Sequence, residues 1–425
     1  MTSPRKLIAR TVALDADVDL GDIAGDDGML WDHEGDGVAA HGEAVRIDLP
    51  GGLEAEQRDR RVASTLAGIE TDEVGTDADG AVPGTGPIAL GALPFDRTRP
   101  ATLVVPRIAV RRLADGRAWL TTIGPEGDEP PPSAPTLELQ AASNEERERR
   151  PPDTFTLAST VAHGDFCELV ATATKEIAAG TFQKVVLARE VVVTTNRPIV
   201  TSDVVARLLA LYPSCMVFSM DGFVGASPEL LVSRRGRKVR SHPLAGTFPR
   251  SGDPRSDRAL AAQLAGSEKD RWEHQLVVDD VTEALARYCA DVVVPDRPDI
   301  MLLRNVLHLG TEITALLPSA QGATALDLVA ALHPTPAVAG TPRDAAIAHL
   351  LAAETFDRGR YAGPVGWVDS RGDGDWAIAI RSAQLAGPRA RLFAGVGIVD
   401  RSDPEAELAE TQLKLQALLA AVVRP

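Results

Sequence analysis

The sequence predicts a large α+β fold in which antiparallel sheets predominate. Candidate strands follow one another in runs, and several form hairpin-like pairs, as in LLVSRRGRKVRSH at residues 230–242. Candidate helices are interspersed among these runs without the regular strand–helix–strand alternation of a doubly wound parallel sheet. These two observations favour antiparallel sheets with accompanying helices.

Hydrophobic periodicity places the individual elements, because a 3.6-residue period indicates a helix and strict alternation indicates a strand. The predicted helices span residues 161–179, 202–211, 256–288, 323–332, 342–353 and 404–423. The predicted strands span residues 86–96, 101–113, 182–194, 215–224, 229–234, 238–243, 303–314, 363–369, 375–385 and 390–399. Two polar connectors rich in proline and charge interrupt the pattern at 124–135 and 143–153.

The composition argues against several classes of partner. The 425 residues include 60 acidic and 44 basic side chains, a net charge of −16, whereas nucleic acids and anionic membranes require a clustered basic surface. No apolar run approaches the roughly 20 residues of a membrane span, and the first residues lack the apolar core of a signal peptide. The three cysteines form no C-x-x-C pair. We therefore expect a cytoplasmic protein that binds neither nucleic acid nor membrane, and a monomer because no apolar stripe demands a partner.

The stretch TFQKVVLARE, residues 181–190, reads as a strand with a lysine on its apolar face. Alternation places Lys184 on the same face as Phe182, Val186 and Ala188. Desolvation in such a row favours the neutral form of an amine, which has a lone pair for proton transfer. A lysine that extends its charge to the strand edge is an equally good interpretation of the pattern alone.

Two predicted helices carry acidic residues at helical spacing. Asp270 and Glu273 stand three residues apart, and Glu407, Glu410 and Lys414 share one face of the C-terminal helix. A solvated charged face is the default interpretation of each group. If the two faces converged, their carboxylates would suit Mg²⁺, which takes one or two carboxylates together with waters and substrate oxygens.

Three further polar residues stand in predicted strands or turns. Glu229 follows a Gly-Ala-Ser-Pro turn, where partial desolvation would raise its pKa and let it act as a general acid. His308 lies inside an alternating strand, and Arg381 has alanine neighbours that leave room for a planar carboxylate. Taken singly, Glu229 is by default an exposed turn carboxylate and His308 a structural histidine, whereas a structural ion pair is an equally good interpretation of Arg381.

The motif GVG at residues 395–397 lies between a strand and a helix. It is not a dinucleotide fingerprint, because Asp400 occupies the position of the third glycine and the helix begins too late. Its glycines can instead expose backbone N–H groups to an anion. Together with the residues above, the motif indicates a site for acid–base chemistry on a small, multiply carboxylated molecule, with Mg²⁺.

Nine stretches, kept in one order over about residues 155–423, resemble the chorismate-utilising enzymes, which include isochorismate, salicylate, anthranilate and aminodeoxychorismate synthases. The stretches are FQKVVLARE, GASPELL, PLAGTFPR, SEKDRWEH, LHLGTEI, LHPTPAVAGTPRDAA, FDRGRYAGPVGW, AIAIRSAQL and AGVGIVDRSDPEAELAETQLK. The resemblance implies one large unit of antiparallel sheets packed face to face, with helices outside. It also implies that residues 155–423 form a chorismate-binding catalytic core and that residues 1–154, which match weakly, complete the sheets.

The residue at position 184 indicates which reaction the resemblance implies. Family members that add ammonia to chorismate carry glutamine there, whereas members that add water carry lysine, because water needs a base. The resemblance therefore implies a Mg²⁺-dependent isochorismate synthase that needs no glutaminase subunit, whose product would feed menaquinone or siderophore synthesis. Ala337 stands where salicylate synthases usually carry threonine, which argues against the alternative of pyruvate loss from isochorismate. A protein that binds chorismate without turnover is a second alternative.

The resemblance also implies a role for each matching residue. Lys184 would be the general base that activates water for attack at C2, and Glu229 the general acid that protonates the departing C4 hydroxyl. The Mg²⁺ ligands would be Glu273 and Glu410 directly, and Asp270 and Glu407 through waters. The substrate contacts would be Gly246, Thr247 and His308 along the ring, Ala337 beside it, and Tyr361, Arg381, Gly395 and Lys414 at the enolpyruvyl carboxylate. Asp270 replaces the commoner glutamate, and its shorter side chain fits a role through water.

Overall fold

The computed structural model describes residues 6–15, 17–72, 75–77, 80–127 and 151–423. Its strands are β1 (Leu7–Leu14), β2 (Met29–His33), β3 (Asp36–His41), β4 (Val45–Leu49), β5 (Glu70–Thr71), β6 (Thr76–Asp77), β7 (Gly80–Ala81), β8 (Ile88–Ala92), β9 (Ala101–Val105), β10 (Ile108–Arg112), β11 (Ala118–Pro125), β12 (Phe155–Ser159), β13 (Lys184–Thr195), β14 (Met216–Met220), β15 (Phe223–Ser227), β16 (Leu230–Arg235), β17 (Lys238–His242), β18 (Leu244–Pro249), β19 (Asp291–Val293), β20 (Asp299–Leu302), β21 (Val306–Gly310), β22 (Ile313–Leu316), β23 (Gly340–Thr341), β24 (Pro364–Asp369), β25 (Gly374–Ile378), β26 (Ser382–Ala386) and β27 (Arg389–Ile398). The predicted connectors fall for the most part outside the described residues.

The helices are α1 (Leu20–Ala24), α2 (Arg58–Ala67), α3 (His163–Ala178), α4 (Thr201–Leu211), α5 (Pro254–Gly266), α6 (Glu268–Ala286), α7 (Ala325–Leu332), α8 (Arg343–Ala353) and α9 (Pro404–Val422). Within the described part of the chain, none of them is both long and apolar enough to cross a membrane.

Two large sheets dominate the architecture. The first has thirteen strands in the order β12-β13-β27-β26-β15-β14-β2-β3-β10-β11-β1-β5, with β23 also paired to β13, and only the β1–β5 pair is parallel among these described strands. The second has nine strands in the order β19-β22-β17-β16-β25-β24-β8-β9-β4. Strands from before and after residue 154 are neighbours in both sheets, as β2 and β14 are in the first and β8 and β24 in the second. The division of the chain at residue 154 stays a prediction.

The two large sheets pack face to face. Trp31 and Phe218 from the first sheet share one buried cluster with Trp367 from the second. Helices cover the outer faces, since Leu208 of α4 and Leu415 of α9 pack on the first sheet and the apolar residues of α6 and α7 on the second. This arrangement confirms the predicted α+β fold.

One predicted helix is two helices. The pattern predicted a single helix over 256–288, but α5 ends at Gly266 and α6 begins at Glu268. Ser267 between them is extended (φ −70°, ψ 116°), and its hydroxyl accepts a hydrogen bond from the backbone N–H of Asp270. The 3.6-residue apolar pattern continues across Ser267, but this residue caps the second helix and separates it from the first.

Several predicted strands are also two strands each, because alternation continues across turns that separate them. Residues 215–224 form the hairpin β14–β15, whose turn residues Asp221 and Gly222 both have positive φ. Residues 101–113, 303–314 and 375–385 each contribute one strand to one sheet and one strand to another. Period-two alternation identifies a strand but carries no information about which sheet the strand joins.

Two of these crossings between sheets lie side by side. The chain leaves the first sheet after β15 and enters the second at β16 through Pro228 and Glu229, and it returns from β25 to β26 through Arg381. The hydroxyl of Ser227 donates to the carbonyl of Ile378 at 2.6 Å, and the N–H of Ile378 donates to the carbonyl of Glu229 at 3.1 Å. Glu229 and Arg381 are thus held next to each other by the backbone.

Candidate active site

A cavity lies at the two sheet crossings. Its wall includes every predicted site residue except Lys184, Asp270 and Glu407. The predicted residues in the wall are Glu229, Gly246, Thr247, Glu273, His308, Ala337, Tyr361, Arg381, Gly395, Glu410 and Lys414. Elements far apart in the chain therefore contribute to one site.

Lys184, the first residue of β13, is completely buried directly behind this wall. Its Nζ lies 3.0 Å from Oε1 of Glu273 on α6. The strand face around it is apolar as predicted, but the amine itself ends beside a carboxylate. Apart from this carboxylate, the amine has no hydrogen-bonding partner among the described residues.

Gly397 on the neighbouring strand β27 leaves the space that this pair occupies. A Cβ atom at Gly397 would lie 2.1 Å from Oε1 of Glu273 and 3.0 Å from Cε of Lys184. The sequence contained a signal for this residue, because Gly397 is the second glycine of GVG and lies on the same strand face as Gly395. Only Gly395 was assigned to the site, so the contact of Gly397 with Glu273 was missed.

Glu229 is buried in the wall of the same cavity, and its Oε1 has no hydrogen-bond partner among the described residues. Burial raises the pKa of this carboxyl to about 7, against smaller opposing effects of the Leu244 N–H and the charges of Lys184 and Arg381. A carboxylic acid with this pKa holds its proton near neutral pH and can donate it to a leaving group.

His308 and Arg381 hold each other in the cavity wall. Nη2 of Arg381 lies 3.0 Å from Nε2 of His308, and Nδ1 of His308 lies 3.0 Å from the carbonyl of Gly246 and 3.3 Å from the hydroxyl of Thr247. Burial and the charges of Arg381 and Lys414 hold the pKa of His308 well below its usual range. The neutral imidazole therefore accepts from Arg381 at Nε2 and donates to Gly246 at Nδ1.

Tyr361 and Lys414 close a second side of the cavity. The Tyr361 ring stacks on Phe393 with 5.1 Å between centroids, and burial raises the pKa of its phenol to about 12, so the hydroxyl stays protonated. This hydroxyl would lie 2.8 Å from a Cβ at Gly395, which explains the need for glycine there. Nζ of Lys414 donates to the carbonyl of Gly395 at 2.9 Å and lies 2.6 Å from the carboxylate of Glu410.

The acidic faces of α6 and α9 lie close together, as the predicted Mg²⁺ site requires. Burial raises the pKa of Asp270, and the charges of Glu273 and Glu410 raise it further, while the Ser267 hydroxyl lowers it. Glu407 is also buried, and its pKa is raised by burial and by Glu410. The four carboxylates of α6 and α9 therefore belong to one electrostatic group.

Lysines balance three of these carboxylates. Besides the Lys184 and Lys414 pairs, Nζ of Lys269 lies 2.7 Å from Oε1 of Glu407. In the described part of the chain, no three metal-ligating side chains already surround a common point. The donor chemistry nevertheless fits Mg²⁺, because Glu273 and Glu410 line the same cavity from two helices and offer only oxygen.

The other residues of the wall were not predicted. They are Val186, Pro228, Leu244, Ala245, Val338, Ile380 and Gly397. All of them lie within three residues of a predicted site residue, but apart from Gly397 they make apolar and backbone contacts, which leave no chemical signal in a single sequence.

Comparisons with known proteins identify similar chains over most of this length. A family model described as chorismate binding enzyme matches residues 23–423. A protein of Mycobacterium tuberculosis (strain ATCC 25618 / H37Rv), provisionally named isochorismate synthase MenF, is 42% identical over 356 residues, which cover 80% of this chain and 87% of that protein. Isochorismate synthase DhbC of Bacillus subtilis is 39% identical over 347 residues, covering 79% of this chain and 81% of that protein.

A solved structure is similar over nearly the whole chain. It is that of MenF, described as the menaquinone-specific isochorismate synthase from Escherichia coli. Its sequence is 27% identical, its TM-score is 0.78, and the match covers 98% of this chain and 95% of that one.

Replacing Gly397 with alanine should destabilise the protein, because the new methyl group would overlap the buried Glu273 carboxylate. We expect the free energy of unfolding to fall by about 1–3 kcal/mol, measured by urea denaturation. Gly164→Ala on α3 is the matched control, since a Cβ there meets nothing within 4 Å. Equal stability of Gly397→Ala and the wild type would show that this contact is not tight.

Glu229→Gln should stabilise the protein in a pH-dependent way. The folded-state pKa of about 7 exceeds the ordinary value of 4.5, so wild-type stability falls as pH rises between these values and stays reduced above them. We expect Glu229→Gln to gain little near pH 5 and up to about 3 kcal/mol near pH 8.5, measured by urea denaturation. Glu56→Gln, which removes an exposed carboxylate, controls for the loss of one charge; a gain that does not vary with pH would contradict the assignment.

Proposed function

We propose that this chain, which belongs to the family of chorismate-binding enzymes, is a Mg²⁺-dependent isochorismate synthase. One observation carries the proposal: a glutamic acid with a pKa of about 7 lines the cavity, and a buried lysine lies directly behind the wall, 3.0 Å from Glu273, which also lines it. The names of the relatives, two of which are isochorismate synthases from Bacillus subtilis and Escherichia coli, support the same reaction.

The proposed reaction adds one water to chorismate and releases another. Lys184 accepts a proton from water as its oxygen bonds to C2, the ring double bonds shift, and the C4–oxygen bond breaks. Glu229 donates its proton to the departing hydroxyl, which leaves as water. The proton gained by Lys184 and the proton lost by Glu229 balance, and exchange with solvent restores both groups for the next turnover.

Cations of the cavity wall would bind the carboxylates of chorismate. Arg381 is fixed by His308 and can present its guanidinium to a planar carboxylate in a bidentate manner. The Tyr361 hydroxyl and Lys414 can donate further hydrogen bonds at the enolpyruvyl carboxylate, while Gly246, Thr247, His308 and Ala337 face the ring. Binding both carboxylates would fix C2 toward Lys184 and C4 toward Glu229, which is the orientation that the reaction needs.

Mg²⁺ would supply a positive charge for the ring carboxylate when bound. Glu273 and Glu410 would hold the ion directly, and Asp270 and Glu407 would hold it through waters. Because Glu273 also faces Lys184 at 3.0 Å, the same carboxylate helps to orient the amine of the proposed base.

The reaction can be tested with purified protein, chorismate and Mg²⁺, with products separated by chromatography. We expect isochorismate as the main product, loss of turnover on chelation, and recovery on addition of Mg²⁺. Lys184→Ala should lower kcat by about 10²–10⁴-fold, the usual contribution of one acid–base group. Lys238→Ala, which removes an exposed lysine from β17, is the control and should be as active as the wild type.

Three results would contradict the proposal. Pyruvate and salicylate as main products would indicate a salicylate synthase, and tight chorismate binding without any product would indicate a binding protein. Full turnover by Lys184→Ala would remove the base from the mechanism.

A further inference from the structure

The strand that carries Lys184 lacks a continuous neighbour on one edge. On that edge, β23 pairs with residues 184–185 of β13, and β12 pairs only with residues 191–195. Between them, the Val186 N–H donates to the Ala339 carbonyl at 2.8 Å and the Glu190 carbonyl accepts from the Thr160 N–H at 3.1 Å. Neither β12 nor β23 pairs with the Val186 carbonyl or the Ala188 N–H. Backbone groups of a buried strand need partners, so something else must satisfy this gap.

A buried ion pair fills much of the gap. Oε1 of Glu354 accepts a hydrogen bond from the Ala188 N–H at 3.0 Å, and Nη2 of Arg358 donates to the Val186 carbonyl at 2.6 Å. The two side chains bind each other as well, with Nε of Arg358 at 2.7 Å from Oε2 of Glu354. The carboxylate of Glu354 and the guanidinium of Arg358 thus supply the acceptor and the donor that a neighbouring strand would otherwise supply.

The same arginine reaches two other parts of the cavity wall. Its Nη1 donates to the Val338 carbonyl at 2.8 Å, next to Ala337. Its guanidinium lies 4.4 Å from the ring centroid of Phe95 and 5.9 Å from that of Tyr361. Arg358 therefore links the Val186 carbonyl of β13, the Val338 carbonyl and the Tyr361 ring, in addition to the backbone hydrogen bond that already joins Val186 to Ala339.

We propose that the Glu354–Arg358 pair is a positioning device that sets Lys184 and Tyr361 relative to each other. The pair touches neither the substrate cavity nor Lys184 directly, and it acts through Val186, Ala188 and Val338. For its catalytic consequence this inference rests on the proposed function. Its structural half, the bracing of β13, stands independently of which molecule the cavity binds.

The geometry explains why a side-chain pair stands here rather than another strand. A strand along residues 186–190 would take the Val186 carbonyl and the Ala188 N–H as its own partners, and Arg358 and Glu354 would lose these two hydrogen bonds. The fixed fork of the guanidinium lets one side chain bind two carbonyls and a carboxylate simultaneously, which lysine cannot reproduce.

The test compares Glu354→Ala, Glu354→Gln and Arg358→Lys with Arg234→Lys as the matched control. Arg234 is equally buried, binds Asp373 at 3.1 Å and the Arg371 carbonyl at 2.9 Å, and lies outside the cavity wall. Hydrogen exchange at the Ala188 amide, kcat and KM for chorismate, and the midpoint of thermal unfolding are measured for each variant.

We expect Glu354→Ala and Arg358→Lys to lower kcat by about 10²-fold, because small misplacements of catalytic groups cost that much. Hydrogen exchange at the Ala188 amide should become faster in Glu354→Ala. Glu354→Gln keeps an oxygen that can accept from this amide, so the changes in exchange and in kcat should be smaller. Arg234→Lys should lose thermal stability with kcat within about two-fold of the wild type.

Each other result overturns part of the account. Unchanged exchange at Ala188 in Glu354→Ala would refute the brace. Faster exchange at Ala188 in Glu354→Ala with unchanged kcat would refute the positioning role. A loss of kcat in Arg234→Lys as large as that in Arg358→Lys would refute it too. If Arg358→Lys fails to fold, the milder Glu354→Gln decides by the same readouts. A wild type that never turns over chorismate would refute the proposed function, while the exchange measurement would still decide the brace.

Discussion

The buried pair between Lys184 and Glu273 is the constraint on which the site depends. A completely buried amine needs a polar partner whether or not it carries a charge, because an unpaired polar group in the interior costs several kcal/mol. Lys184 begins β13 and Glu273 lies on α6, so the pair requires this helix to pack over the end of that strand. Gly397 on β27 permits the close approach, because any larger residue would occupy the same space.

This placement of α6 has consequences for the other charges. It brings Asp270 and Glu273 toward Glu407 and Glu410 on α9, where burial, and to a smaller extent the neighbouring carboxylates, raise the pKa of Asp270 and of Glu407. The cost of gathering four carboxylates is offset by Lys184, Lys269 and Lys414, each of which pairs with one of them. At the two sheet crossings, the Ser227 hydroxyl donates to the Ile378 carbonyl and the Ile378 N–H donates to the Glu229 carbonyl, and burial raises the pKa of Glu229 to about 7.

The sequence predicted part of the fold and most of the charged residues of the site, and the features that it did not predict have physical reasons. Alternation found about half of the described strands, and the ordered motifs identified eleven of the eighteen residues of the cavity wall. Alternation could not show that residues 375–385 cross between sheets at Arg381, nor that Ser267 ends one helix and begins another, because both depend on local turn or capping geometry. The partner of Lys184 and the bracing by Arg358 depend on contacts between residues distant in the chain, which a periodic pattern does not encode.

The central claim is that Lys184, behind the cavity wall, and Glu229, in that wall, add one water to the substrate and release another. The most direct measurement is mass spectrometry of isochorismate formed in water enriched in oxygen-18. The account predicts that the product carries one heavy oxygen, at the C2 hydroxyl, and that recovered chorismate after partial conversion is labelled only through the reverse reaction. Product without the heavy isotope would mean that the hydroxyl moves within the substrate, and it would contradict the roles assigned to both residues.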